Sequence, residues 1–352
     1  LLSLIAGLVC VFFIPVGLGF DEKAHTRRIW EISGGTFMPN FLAEKIKTFP
    51  TSMEDKLSVP PFFDDPSHTI FGSDLTQRIN WWEMGDGKTS SSYFPTLYIF
   101  PSFVMSFFGR NFNISMMPLF YLLRIACLLA FVIPAYFAIR IIPHSKWLFM
   151  GLALIPMSVL QSGTISPEGM SNGLAFLFIA WLIRFSEQQD KLTSRKLGLL
   201  LIMIAILFTL KVNLTFLLVL LLLVSKSRFH SKKQLAVVLI SIVILFIIIV
   251  LGWNYFTASS LPYNGNTPGE VISQVKLIAT EPFSYLGILL KDLQLNGGRY
   301  LLGWIAVFPT QNLYFPYLIH IFSGITILFL ILFDPSNQRI SIKKRIILLT
   351  AG

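Results

Sequence analysis

The chain has 352 residues, is 54% hydrophobic with 33 Phe, and carries only 13% charge, well below the roughly 25% of an ordinary soluble domain. That composition excludes a water-soluble globular protein and points to a membrane protein in contact with the lipid bilayer. The net charge of +10 sits in short clusters between apolar runs, so it reads as membrane topology and not as a nucleic-acid surface.

The first run, Leu1 to Leu18, lacks the basic n-region and small-x-small site of a signal peptide, and Gly7-Leu8-Val9-Cys10 is a poor lipoprotein box; a retained spanning helix is expected. The chain starts without Met and stops at Ala351-Gly352 inside a new apolar run, so a piece of a longer protein is expected, truncated at both ends. After the first run comes GLGFDEKAHTRR, Gly17 to Arg28, a sudden concentration of charge. Within it, Glu22 to Ser33 places Ala24, Ile29 and Ile32 at helical spacing, which predicts a short amphipathic helix on the membrane surface. The loop from 19 to 92 holds eleven Asp/Glu against eight Lys/Arg and is expected outside.

Further apolar runs cover 93 to 109, 117 to 142, 146 to 163, 169 to 185, 197 to 225, 235 to 256 and 314 to 333, with another beginning near 346. Roughly nine to eleven membrane segments follow. The basic clusters Arg184/Lys191/Arg195/Lys196, Lys226/Arg228/Lys232/Lys233 and Arg339/Lys343/Lys344/Arg345 are expected in the cytoplasm. Arg140 to Lys146 is then internal and Gly163 to Glu168 external. The run 197 to 225 must enter and leave on the same side, as a hairpin of two short helices of ~20 Å each, with Lys211-Val212-Asn213 at its tip. The run 93 to 109 breaks the parity: either it is re-entrant, aided by Pro95 and Pro101, or the run 117 to 142 is broken near Pro134. A second external loop, 257 to 313, carries an amphipathic piece near Phe283 to Leu293. The fold class is an all-α polytopic bundle, one transmembrane domain over 1–352. Cys10 and Cys127 lie inside apolar runs, so no disulfide framework or Cys-based metal site is expected.

The candidate chemistry begins at Asp21, Glu22 and His25, which share one face of a helix and can supply a general base, or, through Asp21 and Glu22, a divalent metal site. Any such helix can also simply mark the water interface with charge. Arg124, Glu168 and Lys211 stand where lipid exposure would be expensive, and ionisable groups inside a membrane default to function. Carboxylates beside cations suit transfer from a lipid phosphate: a base deprotonates an acceptor hydroxyl while cations stabilise the departing phosphate. His68, Asp74 and Arg299 could line an acceptor cleft. Asn113-Ile114-Ser115 and Asn213-Leu214-Thr215 match the glycosylation pattern, which recurs by chance.

In order along the chain stand FDEKAH, YFPTLYIFPS, FYLLRIACLL, SPEGMSNGLAFLFIAWLIRF, LKVNLTFLLVLLLLV and LLGWIAVFP. With these the sequence resembles the bacterial predicted membrane proteins of domain-of-unknown-function family 2142, which are similar to GT-C glycosyltransferases. The resemblance implies a helical bundle with a large first external loop, in the bacterial plasma membrane, that transfers sugar from a polyprenyl-phosphate carrier to a glycan or lipid acceptor with inversion. It implies Asp21 or Glu22 as the acidic residue, with Asp21 the first choice as base. His25 would orient a carboxylate or bind acceptor, Glu168 would hold acceptor or metal, and Lys211 with Arg124 would bind the carrier phosphate. The family usually has Asp where this chain has Glu168 and Pro where it has Val212. The cofactor is left open, with a divalent cation compatible. A flippase of a lipid-linked glycan, or a non-catalytic assembly partner, is the alternative.

Overall fold

A computed structural model describes residues 1–38, 47–57, 77–86, 93–258, 273, 276–308 and 315–334. His68, Asp74, the third basic cluster and the run beginning near 346 lie outside the described residues. The architecture is all-α, with one two-stranded ribbon among the described residues. Among the described residues, three helices are long and apolar enough to cross a membrane, over Met116–Ile141, Glu168–Glu187 and Lys232–Thr257.

Helix α1 (Leu2–Phe13) has 12 residues, ~18 Å at 1.5 Å per residue, and is shorter than the apolar run that encodes it. The chain leaves the helix at Ile14-Pro15 and turns at Gly17, whose φ of +90° lies in the left-handed region that suits glycine. Helix α2 (Glu22–Ser33) has the bounds expected from the sequence. Its burial exceeds that of a helix with one covered face: eight of its 12 residues are buried within the protein. The cover comes from the rest of the first loop and from the segment that carries Tyr98, Ser102 and Arg110. Strands β1 (Lys47–Pro50) and β2 (Met84–Asp86) pair antiparallel, helix α3 (Thr51–Leu57) follows β1, and Trp30 of α2 packs against Phe49 and Trp81 at 6.2 and 5.2 Å between ring centroids. Glu54 of α3 accepts both Lys23 and Arg27.

The stretch from 93 to 109 is not one regular helix. A 3-10 turn (Pro95–Tyr98) leads into α4 (Ile99–Val104) and then a π-helical segment (Met105–Asn111). Helix α5 (Met116–Ile141) runs unbroken through Pro134, which overturns the alternative of a break there. The run 146 to 163 does break, into α6 (Lys146–Ala153) and α7 (Pro156–Ser162), because Pro156 can start a helix but cannot continue one. This return brings α8 (Glu168–Glu187) alongside α5 in parallel. A Cβ on Gly169 would lie 3.3 Å from the Cys127 carbonyl oxygen, and one on Gly173 would lie 2.9 Å from that of Phe131. The Gly169-x-x-x-Gly173 spacing therefore lets two backbones touch, as small residues do between membrane helices.

Helix α9 (Ser194–Phe208) and a 3-10 helix (Val212–Leu223) form the expected hairpin around Lys211. The second arm is not the expected α-helix. Its 12 residues rise ~2.0 Å each, giving ~24 Å where an α-helix would give ~18 Å. Leu214, Leu217, Leu220 and Leu223 recur every third residue; Leu217 and Leu220 are buried, while Phe216 and Leu222 face outward. Helix α10 (Lys232–Leu245) continues through a π-helical turn (Phe246–Leu251) into α11 (Gly252–Ala258). Within 257 to 313 the structure places α12 (Pro282–Ile305), 24 residues long and well beyond the expected amphipathic piece. Helix α13 (Tyr317–Phe333) follows.

Two of the basic clusters meet at one end of the bundle. Lys191 Nζ donates to the Ser227 carbonyl at 2.7 Å and Leu192 N to the Arg228 carbonyl at 2.9 Å. The start of α8, the tip of the hairpin and the end of the α10–α11 rod lie at the other end.

Candidate functional site

The charged stretch after α1 separates two neighbours that look equivalent in the sequence. Asp21 sits at the N-cap of α2 with φ +50°, exposed and without a side-chain partner among the described residues. Glu22 turns inward and is fully buried. Its Oε2 accepts Gly17 N at 2.8 Å, Gly19 N at 3.1 Å and Arg124 Nη2 at 2.8 Å. Its Oε1 accepts Ile165 N at 3.0 Å and Arg124 Nε at 2.8 Å. Burial works against the charge, but the Arg124 guanidinium and the converging donors outweigh it and hold this carboxyl below the usual range.

Arg124, expected at the carrier phosphate, has no donor left for one. Besides its two bonds to Glu22 it donates to the carbonyls of Val11, Ile14 and Pro15, which uses all five guanidinium N–H groups. Those carbonyls are orphans at the end of α1, so the structure gives Arg124 the task of closing that helix. Glu22, its counter-charge, is likewise committed. A metal at Asp21 and Glu22 would have to displace these donors, and among the described residues no three of His, Cys, Asp and Glu gather to hold one.

One turn along α2, His25 Nδ1 shares a hydrogen bond of 2.9 Å with the Tyr98 hydroxyl. Its ring lies 6.1 Å from that of Tyr93. Burial, and after it the positive charge of Lys211, push the imidazole down to about 3, against a smaller pull from Glu22. His25 is therefore neutral at physiological pH. Lys211 lies 5.2 Å from the Tyr93 ring centroid and forms an ion pair with Glu168, which is the first residue of α8. The Glu168 backbone N–H bonds the Ser166 hydroxyl at 3.1 Å. The loop Gly163 to Glu168 thus serves both groups: Ile165 binds Glu22 and Glu168 binds Lys211. Gly163 makes this possible, since a Cβ there would lie 2.6 Å from that of Cys10.

Of the residues singled out in the sequence, the structure brings His25, Glu168 and Lys211 to one place and stacks Glu22 and Arg124 beneath α2. Asp21 stands one turn from His25. Arg299 lies exposed on α12, in no hydrogen bond with this group. Sequence reasoning missed Tyr93 and Tyr98, whose signal was two phenols in YFPTLY, and Trp253. A cavity of about 390 Å³ opens beside Lys211, lined among others by Tyr93, Phe94, Asn213, Trp253 and Asn254. Trp253 stacks on Phe94 at 4.3 Å.

The chain belongs to the family described as Predicted membrane protein (DUF2142), which matches residues 4–351. No curated protein matches it, and neither does any solved structure.

Proposed function

We propose that this membrane protein is a multi-pass, inverting glycosyltransferase of the bacterial plasma membrane. It moves a sugar from a polyprenyl-phosphate carrier to a glycan or lipid acceptor at the external face. The observation that carries the reading is the ion pair of Lys211 and Glu168 beside His25 and Tyr93, at the bundle end opposite the basic loops. One transmembrane domain with external loops at 19–92 and 257–313 fits this orientation.

In the reaction, the acceptor oxygen forms a bond to the anomeric carbon as the bond from that carbon to the phosphate oxygen breaks. The electron pair leaves with the phosphate, where the Lys211 ammonium offsets the developing charge. The hydroxyl proton passes to Asp21, an exposed carboxylate with no competing partner among the described residues. Glu168 keeps Lys211 in place and, with His25, binds the acceptor. Glu22 and Arg124 support the turn that presents Asp21.

Purified protein in liposomes with a labelled polyprenyl-linked sugar should release the sugar from its carrier onto acceptor, whereas a flippase would leave the bond between them intact. Asp21→Asn, made in normal amounts, should lower transfer about 10²-fold or more, the usual scale for a general base. Full activity in that variant would remove Asp21 from the mechanism.

A further inference from the structure

The cavity beside Lys211 combines three kinds of wall. Trp253, braced by its stack on Phe94, and Tyr93 give aromatic surface. Asn213 and Asn254 give carboxamides; Asn254 is held to its own helix by a 2.8 Å bond from Nδ2 to the Val250 carbonyl, while Asn213 is exposed at the hairpin tip. Lys211 is the one charged residue among the described lining residues, and it faces Glu168.

We propose that this cavity seats the glycosyl ring of the donor, and that Trp253, Asn213 and Asn254 select which uncharged sugar is transferred; the inference rests on the transferase reading above. An aromatic wall packs against the C–H face of a pyranose or furanose ring. Carboxamides, each both donor and acceptor, read the hydroxyls at its rim. A hydrocarbon tail in the same space would cover the Asn213 carboxamide and the Asn254 Oδ1 without giving either a partner, at a cost that lipid contact cannot return. Among the described lining residues the polar groups are two uncharged carboxamides, a phenol and Lys211, which the phosphate engages, and this suits an uncharged sugar. The volume of about 390 Å³ falls near the lower end of ligand pockets, ~300–1,000 Å³, which suits one ring and not an oligosaccharide.

The π-helical turn Phe246–Leu251 directly precedes Trp253 and Asn254. Its wider winding rotates everything after it, and such turns occur often at functional sites. Here the rotation aims two lining residues at the hairpin tip.

The test uses full-length protein in nanodiscs and short-chain probes: citronellyl phosphate bearing glucose, galactose, mannose or arabinose, and bare citronellyl phosphate. One sugar-bearing probe should bind about tenfold or more tighter than the bare lipid phosphate, a discrimination that sites built on hydroxyl recognition readily reach. Trp253→Leu and Asn213→Leu should each erase that preference while leaving the bare probe within about twofold of wild type, which also shows that the variants are folded. Equal binding of all probes to the wild type, or a preference that survives both substitutions, overturns the assignment. Sugar preference without any transfer in liposomes would keep the cavity and remove the transferase; transfer without sugar preference would do the reverse.

Discussion

Among the described residues, three arginines bind carbonyls at helix ends. Arg124 binds the last carbonyls of α1. Arg110 donates to the Trp30 carbonyl at 2.7 Å near the end of α2 and lies 3.8 Å over the Trp30 ring. Arg228 donates to the Phe185 carbonyl near the end of α8. Each guanidinium adds favourable charge at the carbonyl end of a helix. Arg124 and Glu22 are both fully buried, and removing one partner of such a pair costs about 3–5 kcal/mol. Arg124→Lys and Glu22→Gln should therefore both lower the thermal midpoint in detergent, since an ammonium cannot reach three carbonyls and a carboxylate together. Retention of wild-type stability in Arg124→Lys would show that the anchoring of α1 lies elsewhere. His25 adds a pH signature. Its folded value of about 3 lies below the ordinary 6.5, so its contribution is present in full above pH 6.5. As pH falls from there toward 3, the unfolded chain takes up a proton that the folded one refuses, a loss of up to about 1.4 kcal/mol per pH unit. Unfolding midpoints measured from pH 7.5 to 5 should fall, and the fall should be shallower in His25→Gln. The sequence made Asp21 the first choice as base and Glu22 the next, without showing how differently they are placed. What separates them is Arg124, 102 residues away, and no local pattern encodes that meeting. Tyr93 and Tyr98 went unnoticed for a simpler reason: a chain with 33 Phe and 10 Tyr gives no single aromatic prominence.

At the level of elements, helical periodicity located α2 to the residue, because alternation of charged and apolar residues on one face is a local signal. Its depth was not local, since it depends on Phe49, Met53 and Trp81 arriving from elsewhere in the first loop. Apolar length placed α5 and α8 well, but it could not show that the hairpin's second arm winds as a 3-10 helix. The leucines at every third position from 214 to 223 carry that information, blurred by further leucines at 218, 221 and 222. Runs of this type longer than a few residues are uncommon, so the winding is worth measuring. Spin labels on Val212→Cys and Leu222→Cys, in a background lacking Cys10 and Cys127, should sit ~20 Å apart along the axis for a 3-10 helix and ~15 Å for an α-helix. The shorter separation would overturn the assignment and draw Lys211 toward the centre of the bundle.

Across the whole molecule, charge bias proved the most transferable signal. Two clusters expected on one side of the membrane do share one end of the bundle, joined by Lys191 and Arg228. Lys211 and Glu168 meet at the other, where antiparallel segments must bring them if each crosses once. Under the proposed orientation, a cysteine at Asn213 should react with a membrane-impermeant maleimide added to intact cells. One at Ser227 should react only after the cells are opened; the opposite pattern would turn the protein over and move the reaction to the cytoplasm. The rod from Lys232 to Thr257 carries Trp253 near its end, yet little of its apolar surface is buried among the described residues. Under the proposed orientation, lipid would supply much of its lateral support, and one wall of the cavity would stand on the part of the molecule that the surrounding acyl chains hold upright. Bilayer thickness then becomes a dimension of the pocket, and protein carried into a short-chain detergent would present that pocket with its wall tilted.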